Sequence, residues 1–175
     1  MIFIYNIWID ILFVSILGTL CHYLYEWTNK TFISSILFAV NESTWEHIKI
    51  SLTPSYVLII IQLLINCNCN NFILAVFIEL LTLIIVIPVI FYGYQLIFKK
   101  QNVLVNILIF YVAVCLSQIF FHLIINSNRV NIIFTYLSSI GIAIITYCYL
   151  TFTLFPPKNL LFEDPITKKY GVIRK

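Results

Sequence analysis

The chain has 175 residues, of which 62% are hydrophobic and only 10% charged, with a formal net charge of +3. A soluble domain carries about 25% charged residues, so this chain has too little polar surface to cover a water-soluble fold. Four glycines speak against a phosphate cradle; the net charge says little about nucleic acid, and no nucleic-acid-binding patch is visible.

The apolar residues fall in runs close to the length of a membrane-crossing helix, about 20 residues. The first run covers 2–26. It lacks a basic leading segment and outlasts the apolar core of a signal peptide, so it reads as a retained span. Asn6 and Asp10 share a face near its start, and His22 and Glu26 share a face near its end, in the string CHYLYEW. Residues 31–40, TFISSILFAV, are apolar but too short to span comfortably. They read as an interfacial or re-entrant segment whose backbone must be buried in protein. The alternative is a short sixth span made with the residues after them, which would reverse only the N-terminus.

The second span covers 43–65. Its entry, FAVNESTWEHIKIS, gathers Glu42, Trp45, Glu46, His47 and Lys49. Ser43 and Glu46 fit a capping box, with Asn41 as a second candidate cap. Lys49 can pair with Glu46 at i,i+3, Trp45 suits the headgroup zone, and Pro54 predicts a kink or local opening. The loop that follows, NCNCNN, carries Cys67 and Cys69. Their spacing bridges poorly, so they read as turn thiols or as a soft-metal pair. The third span, 72–98, contains Glu79. The fourth, 103–125, carries Gln118 and His122 on one face, where contact with Glu79 is expected as interhelical hydrogen bonding or as the far end of a polar path. The fifth, 131–155, is rich in small and hydroxyl residues that suit close helix packing, and Pro156-Pro157 ends it.

These boundaries give an all-α, polytopic helical bundle: a transmembrane domain over 1–155 and a tail over 156–175. Lys30, Lys99, Lys100, Lys158, Lys168, Lys169, Arg174 and Lys175 then fall on one side and Arg129 on the other. The positive-inside rule places the tail in the cytoplasm. Leu160, Leu161 and Phe162 can tuck against the bundle mouth and bring Glu163 or Asp164 near the second span's entry. Membrane lipids are the expected partners, and no nucleic acid is.

In this five-span arrangement the end of the first span meets the start of the second. His22, Glu26, Glu42, Glu46 and His47 would then come together. Two imidazoles with several carboxylates suit a divalent metal such as zinc, iron or manganese. His22, Glu42, Glu46 and His47 are the candidate ligands and Glu26 an outer supporting group. Glu46 is the best candidate for a general base. A self-contained charge network, or a proton- or solute-binding site without metal, fits the same residues.

CHYLYEW, then FAVNESTWEHIK with a proline soon after, then a tail of the form PP…FEDP…YG, resemble a family of small bacterial integral membrane proteins of unknown function. The resemblance covers nearly the whole chain and is most specific at NESTWEH. It implies a bacterial inner-membrane protein and brings no activity with it. The chain departs from the alkaline-ceramidase-like pattern of three zinc-bound histidines, because His122 falls on the opposite side from His22 and His47. Two functional classes remain: a membrane enzyme acting on a lipid or lipid-linked substrate, or a non-catalytic transporter, channel-like or accessory protein with a structural or ion-binding cluster.

Overall fold

The computed structural model describes residues 6–65, 71–99 and 102–172. Cys67, Cys69, Lys100, Arg174 and Lys175 lie outside the described residues. The chain forms α1 (Ile7–Trp27), α2 (Phe32–Leu37), α3 (Thr44–Ile65), α4 (Phe72–Phe98), α5 (Val103–Ile125) and α6 (Ile132–Thr151). Five of these are long and apolar enough to cross a membrane. The protein is a polytopic helical bundle, and no strand occurs among the described residues.

Helix starts follow the local chemistry. Asn6, Asn102 and Asn131 each accept the backbone N–H two residues on, satisfying one of the donors a helix leaves open at its start. Asn71 binds across the far end of the bundle instead: its amide reaches Ser127 Oγ at 3.0 Å and it accepts Val130 N–H at 3.0 Å, tying α4 to the turn between α5 and α6.

The short segment before the second long helix is α2, too short to cross a membrane. Thr31 caps it, Phe32 and Ile33 face outward, and Ser34 and Ser35 are buried. It packs on α1, α3 and α6. Its position near the chain reversal explains how ten apolar residues fit without a sixth span.

α3 is the most enclosed long helix, with 61% of its apolar window buried. It packs on α1 and α4. Pro54 does not interrupt it. Proline removes the N–H that would bond the carbonyl four residues earlier, here that of Ile50. α1 comes close to that carbonyl at Gly18: a Cβ there would lie 2.9 Å from Ile50 O and 2.6 Å from Phe110 Cζ. Glycine is therefore what lets α1 sit against α3 and α5 together.

The tail after Pro157 is folded onto one end of the bundle, called here the tail end. Leu161 O accepts Trp45 N–H at 2.9 Å, and Phe162 is buried against Trp45, ring centroids 5.2 Å apart. Asp164 accepts the N–H groups of Ile166 and Thr167, turning the chain so that Glu163 and Tyr170 pair. Gly171 adopts φ +63° and its carbonyl accepts Asn41 Nδ2 at 2.9 Å. A side chain at 171 would be strained, and its Cβ would meet Thr153 O at 2.6 Å. Trp45 is buried and sealed between Phe152 and Phe162 by this tail.

Candidate functional site

The tail end brings together three of the five residues expected to meet there. Glu42 lies between the two imidazoles, 3.6 Å from His22 Nε2 and 3.7 Å from His47 Nε2. The rings are 5.9 Å apart by centroid. Both distances exceed hydrogen-bond length, so Glu42 acts on both rings through its charge and leaves room for a polar group between them. All three side chains are partly open, from 26% to 44% exposed.

Local structure fixes their presentation. His47 Nδ1 donates to Ser43 O at 2.9 Å, one helical turn back, which sets the tautomer and turns Nε2 toward Glu42. Asn41 accepts Ser43 N–H at 2.8 Å and so shapes the turn that carries Glu42. His22 comes from the last turns of α1, one turn beyond the close approach at Gly18.

The other two expected members are elsewhere. Glu26 pairs with Lys30 at 2.8 Å on the exposed end of α1. That hydrogen-bonded carboxylate holds the Lys30 ammonium above the usual lysine range. Glu46 is fully buried on the opposite side of α3 and bonds Lys49 Nζ at 2.6 Å. Its other oxygen, Oε1, accepts the Thr153 hydroxyl at 2.9 Å, and Val40 N–H donates to the Lys49-bound Oε2 at 3.1 Å. Lys49 Nζ also donates to Ser35 O at 2.9 Å and to Thr153 Oγ1 at 2.8 Å. Every charge in this network has a partner, as burial demands. Glu46 is thus a strut joining α2, α3 and the end of α6, and does not face the histidines. The Ser43 hydroxyl still accepts the Glu46 backbone N–H at 3.4 Å, but the reciprocal half of the capping box is replaced by the Glu46–Lys49 pair.

The metal expectation loses support for the same reason. With Glu46 and Glu26 withdrawn, His22, Glu42 and His47 remain, and no group of three His, Cys, Asp or Glu among the described residues is arranged to hold an ion.

The three groups stand at the mouth of an apolar cleft that sequence reasoning did not foresee. Two adjoining cavities of about 310 Å³ and 270 Å³ share Glu42, His47, Val103, Asn106 and Phe110. Ile87 and Phe91 of α4, Ile109 of α5 and Pro165 and Ile166 of the tail wall the first. Thr19 and Tyr23 of α1, Ile50 of α3 and Tyr111 of α5 wall the second. Asn106 Oδ1 is buried there with no hydrogen-bond partner, an acceptor left for a guest. The hydroxyls nearby are already engaged: Thr19 with Tyr111 at 3.3 Å, and Thr44 with Tyr92 at 3.1 Å, whose own hydroxyl donates to Leu160 O. Asn106 was within reach of sequence reasoning, as an amide in an otherwise apolar run, but nothing local marked it as facing Glu42.

At the far end of the bundle, the expected contact between Glu79 and the α5 polar pair is made by Gln118, whose Nε2 donates to Glu79 Oε1 at 2.7 Å. His122 bonds Asp10 Oδ2 at 2.9 Å instead. This keeps His122 away from the tail-end histidines.

No curated protein and no solved structure matches the chain. The sequence profile of a family of unknown function matches residues 3–172, from the first span through Gly171 to the end of the folded tail. The chain therefore belongs to that family of unknown function, DUF6512.

Proposed function

We propose that this membrane protein binds an amphiphile, a lipid or lipid-linked molecule, with its polar head among His22, Glu42, His47 and Asn106 and its hydrocarbon in the cleft between α1, α4 and α5. The carrying observation is the coincidence of a His–Glu–His group with the mouth of an apolar cavity at one end of the helical bundle. Small-molecule sites are mostly apolar with a few convergent polar groups, and this one has that make-up.

In this reading Glu42 lies between the two imidazoles, beyond hydrogen-bond length from each, so that a polar head group fits among the three. His47, its Nε2 presented by the bond to Ser43, and His22 are the groups placed to act on the head group as general acid or base. The tail bears the cationic residues Lys158, Lys168 and Lys169, which supports a cytoplasmic tail. A second reading, a non-catalytic carrier or accessory subunit with the same binding site, draws on the hydroxyls of Thr19, Thr44 and Tyr111 in the cleft, which are committed to helix-to-helix bonds.

The test is lipid retention. Protein released from phospholipid nanodiscs is expected to carry one lipid by native mass spectrometry, lost on Ile109→Trp, which fills the cavity, and weakened on His22→Ala and His47→Ala. Retention indifferent to all three substitutions overturns the proposal. Turnover of the head group in wild type but not in His22→Ala separates the enzyme from the carrier.

A further inference from the structure

The far end of the bundle holds a second polar group, buried at membrane depth and separate from the cleft. Asp10 from α1, Gln62 from α3, Glu79 from α4, and Gln118 and His122 from α5 are all nine-tenths or more buried. Gln62 Nε2 donates to Asp10 Oδ2 at 3.2 Å, His122 Nε2 bonds the same oxygen at 2.9 Å, and Gln118 Nε2 donates to Glu79 Oε1 at 2.7 Å. Four spans thus send polar side chains to one place, where each would otherwise meet hydrocarbon.

Two features show that the group is incomplete. The first is charge. Asp10 and Glu79 are carboxyl groups, and among the described residues His122 is the basic side chain that faces them. α3 contributes the neutral Gln62 and Ser55 to this region, and α6 offers no ionisable side chain to it. Lys49, the buried cation of α3, is taken by Glu46 at the other end. Arg129, in the turn at this end, is exposed to the outside. A His122–Asp10 pair accounts for one carboxyl and leaves Glu79 without a positive partner. An unpaired charge at this depth is strongly disfavoured. The second feature is hydrogen bonding. Gln62 Oε1 and Gln118 Oε1 are buried with no partner, although each amide's nitrogen is bonded within the group. Turning either amide over only moves the deficit from oxygen to nitrogen. An orphaned acceptor on the amide that bonds Glu79, a second on the amide that bonds Asp10, and a carboxyl lacking a counter-charge call for the same thing, a small positive species.

We propose that Asp10, Gln62, Glu79, Gln118 and His122 form an intramembrane site that takes up one monovalent cation, supplied as a proton or as Na⁺. A proton would sit on the Glu79 carboxyl. Na⁺ would lie among Glu79 and the amide oxygens, hard ligands that suit it. Either neutralises the site.

Infrared difference spectra and ²²Na⁺ binding, both on the full chain in nanodiscs, test this. Glu79→Gln removes the charge while keeping the shape, and Glu79→Asp keeps the carboxyl, so one of the pair reports even if the other folds poorly. A carboxylic-acid carbonyl band lost in Glu79→Gln and kept in Glu79→Asp supports the site with a proton as its cation. One ²²Na⁺ bound per chain, lost in Glu79→Gln and weakened in Glu79→Asp, supports it with sodium. An ionised Glu79 with no sodium bound, or spectra and binding that neither substitution alters, overturns it.

Discussion

Replacing Lys49 with methionine should cost more stability than any surface change in the molecule. Lys49 is fully buried and makes three bonds, to Glu46 Oε2, Ser35 O and Thr153 Oγ1, at 2.6, 2.9 and 2.8 Å. Methionine fills much of the volume but leaves Glu46 charged and buried, with only the Thr153 hydroxyl and the Val40 N–H as neutral donors. Breaking a buried pair by removing one partner costs about 3–5 kcal/mol, and that range is expected for Lys49→Met. Glu46→Gln should fall near its lower end, because the amide keeps the shape while Lys49 loses its counter-charge. The double variant removes both charges, so its cost should fall short of the sum of the singles by about 2 kcal/mol, a coupling typical of contacting residues. The assay is reversible unfolding from mixed micelles by a denaturing detergent, followed by helical circular dichroism and by Trp45 fluorescence, which reports the aromatic seal at the same end. Single variants within about 1 kcal/mol of wild type, or a strictly additive double, would refute the strut reading. So would a Glu46→Gln protein of unchanged stability that had lost head-group chemistry, since that would restore Glu46 as the general base.

Three further outcomes are expected. Glu42→Gln, His22→Ala and His47→Ala should each change stability by no more than about 1 kcal/mol, because the groups are partly exposed and their pairings long; the same micelle titration checks this while lipid retention falls. Gly171→Ala should cost about 1–2 kcal/mol from its left-handed backbone alone and should expose the tail to limited proteolysis before the helices are cut. Gly18→Ala should cost about 1–3 kcal/mol by overpacking against Phe110 and the Ile50 carbonyl, and native mass spectrometry should show lipid lost from the narrowed cleft.

The helices were legible because their cause is local. Apolar runs bounded by prolines and polar turns set five spans, with only 31–40 left open between an interfacial segment and a short sixth span. The pairing of Lys49 with Glu46 was legible too, being a matter of helical spacing. What the spacing could not decide was which side of α3 faced which neighbour. Glu42, Glu46 and His47 lie within six residues, yet Glu42 and His47 turn toward α1 while Glu46 turns toward α2 and the end of α6. That choice is made by Thr153 and Ser35, distant in sequence and silent in any local pattern. Gln62 was missed for a related reason: an amide in a long apolar helix has no meaning until Asp10 is placed beside it. The cleft left no trace at all, since its walls are ordinary hydrophobic residues and only their failure to fill the space defines it.

The wiring of Lys49 also bears on how the chain enters the bilayer. Its hydroxyl ligand Thr153 lies 104 residues downstream, so it is synthesised long after α3 must leave the translocation machinery. Glu46, one turn away on the same helix, is present from the start and lets the ammonium partition into lipid as half of a neutral couple. Variants lacking that carboxylate should therefore fail during biogenesis, yielding little inserted material in cells, even where the finished fold would tolerate the change.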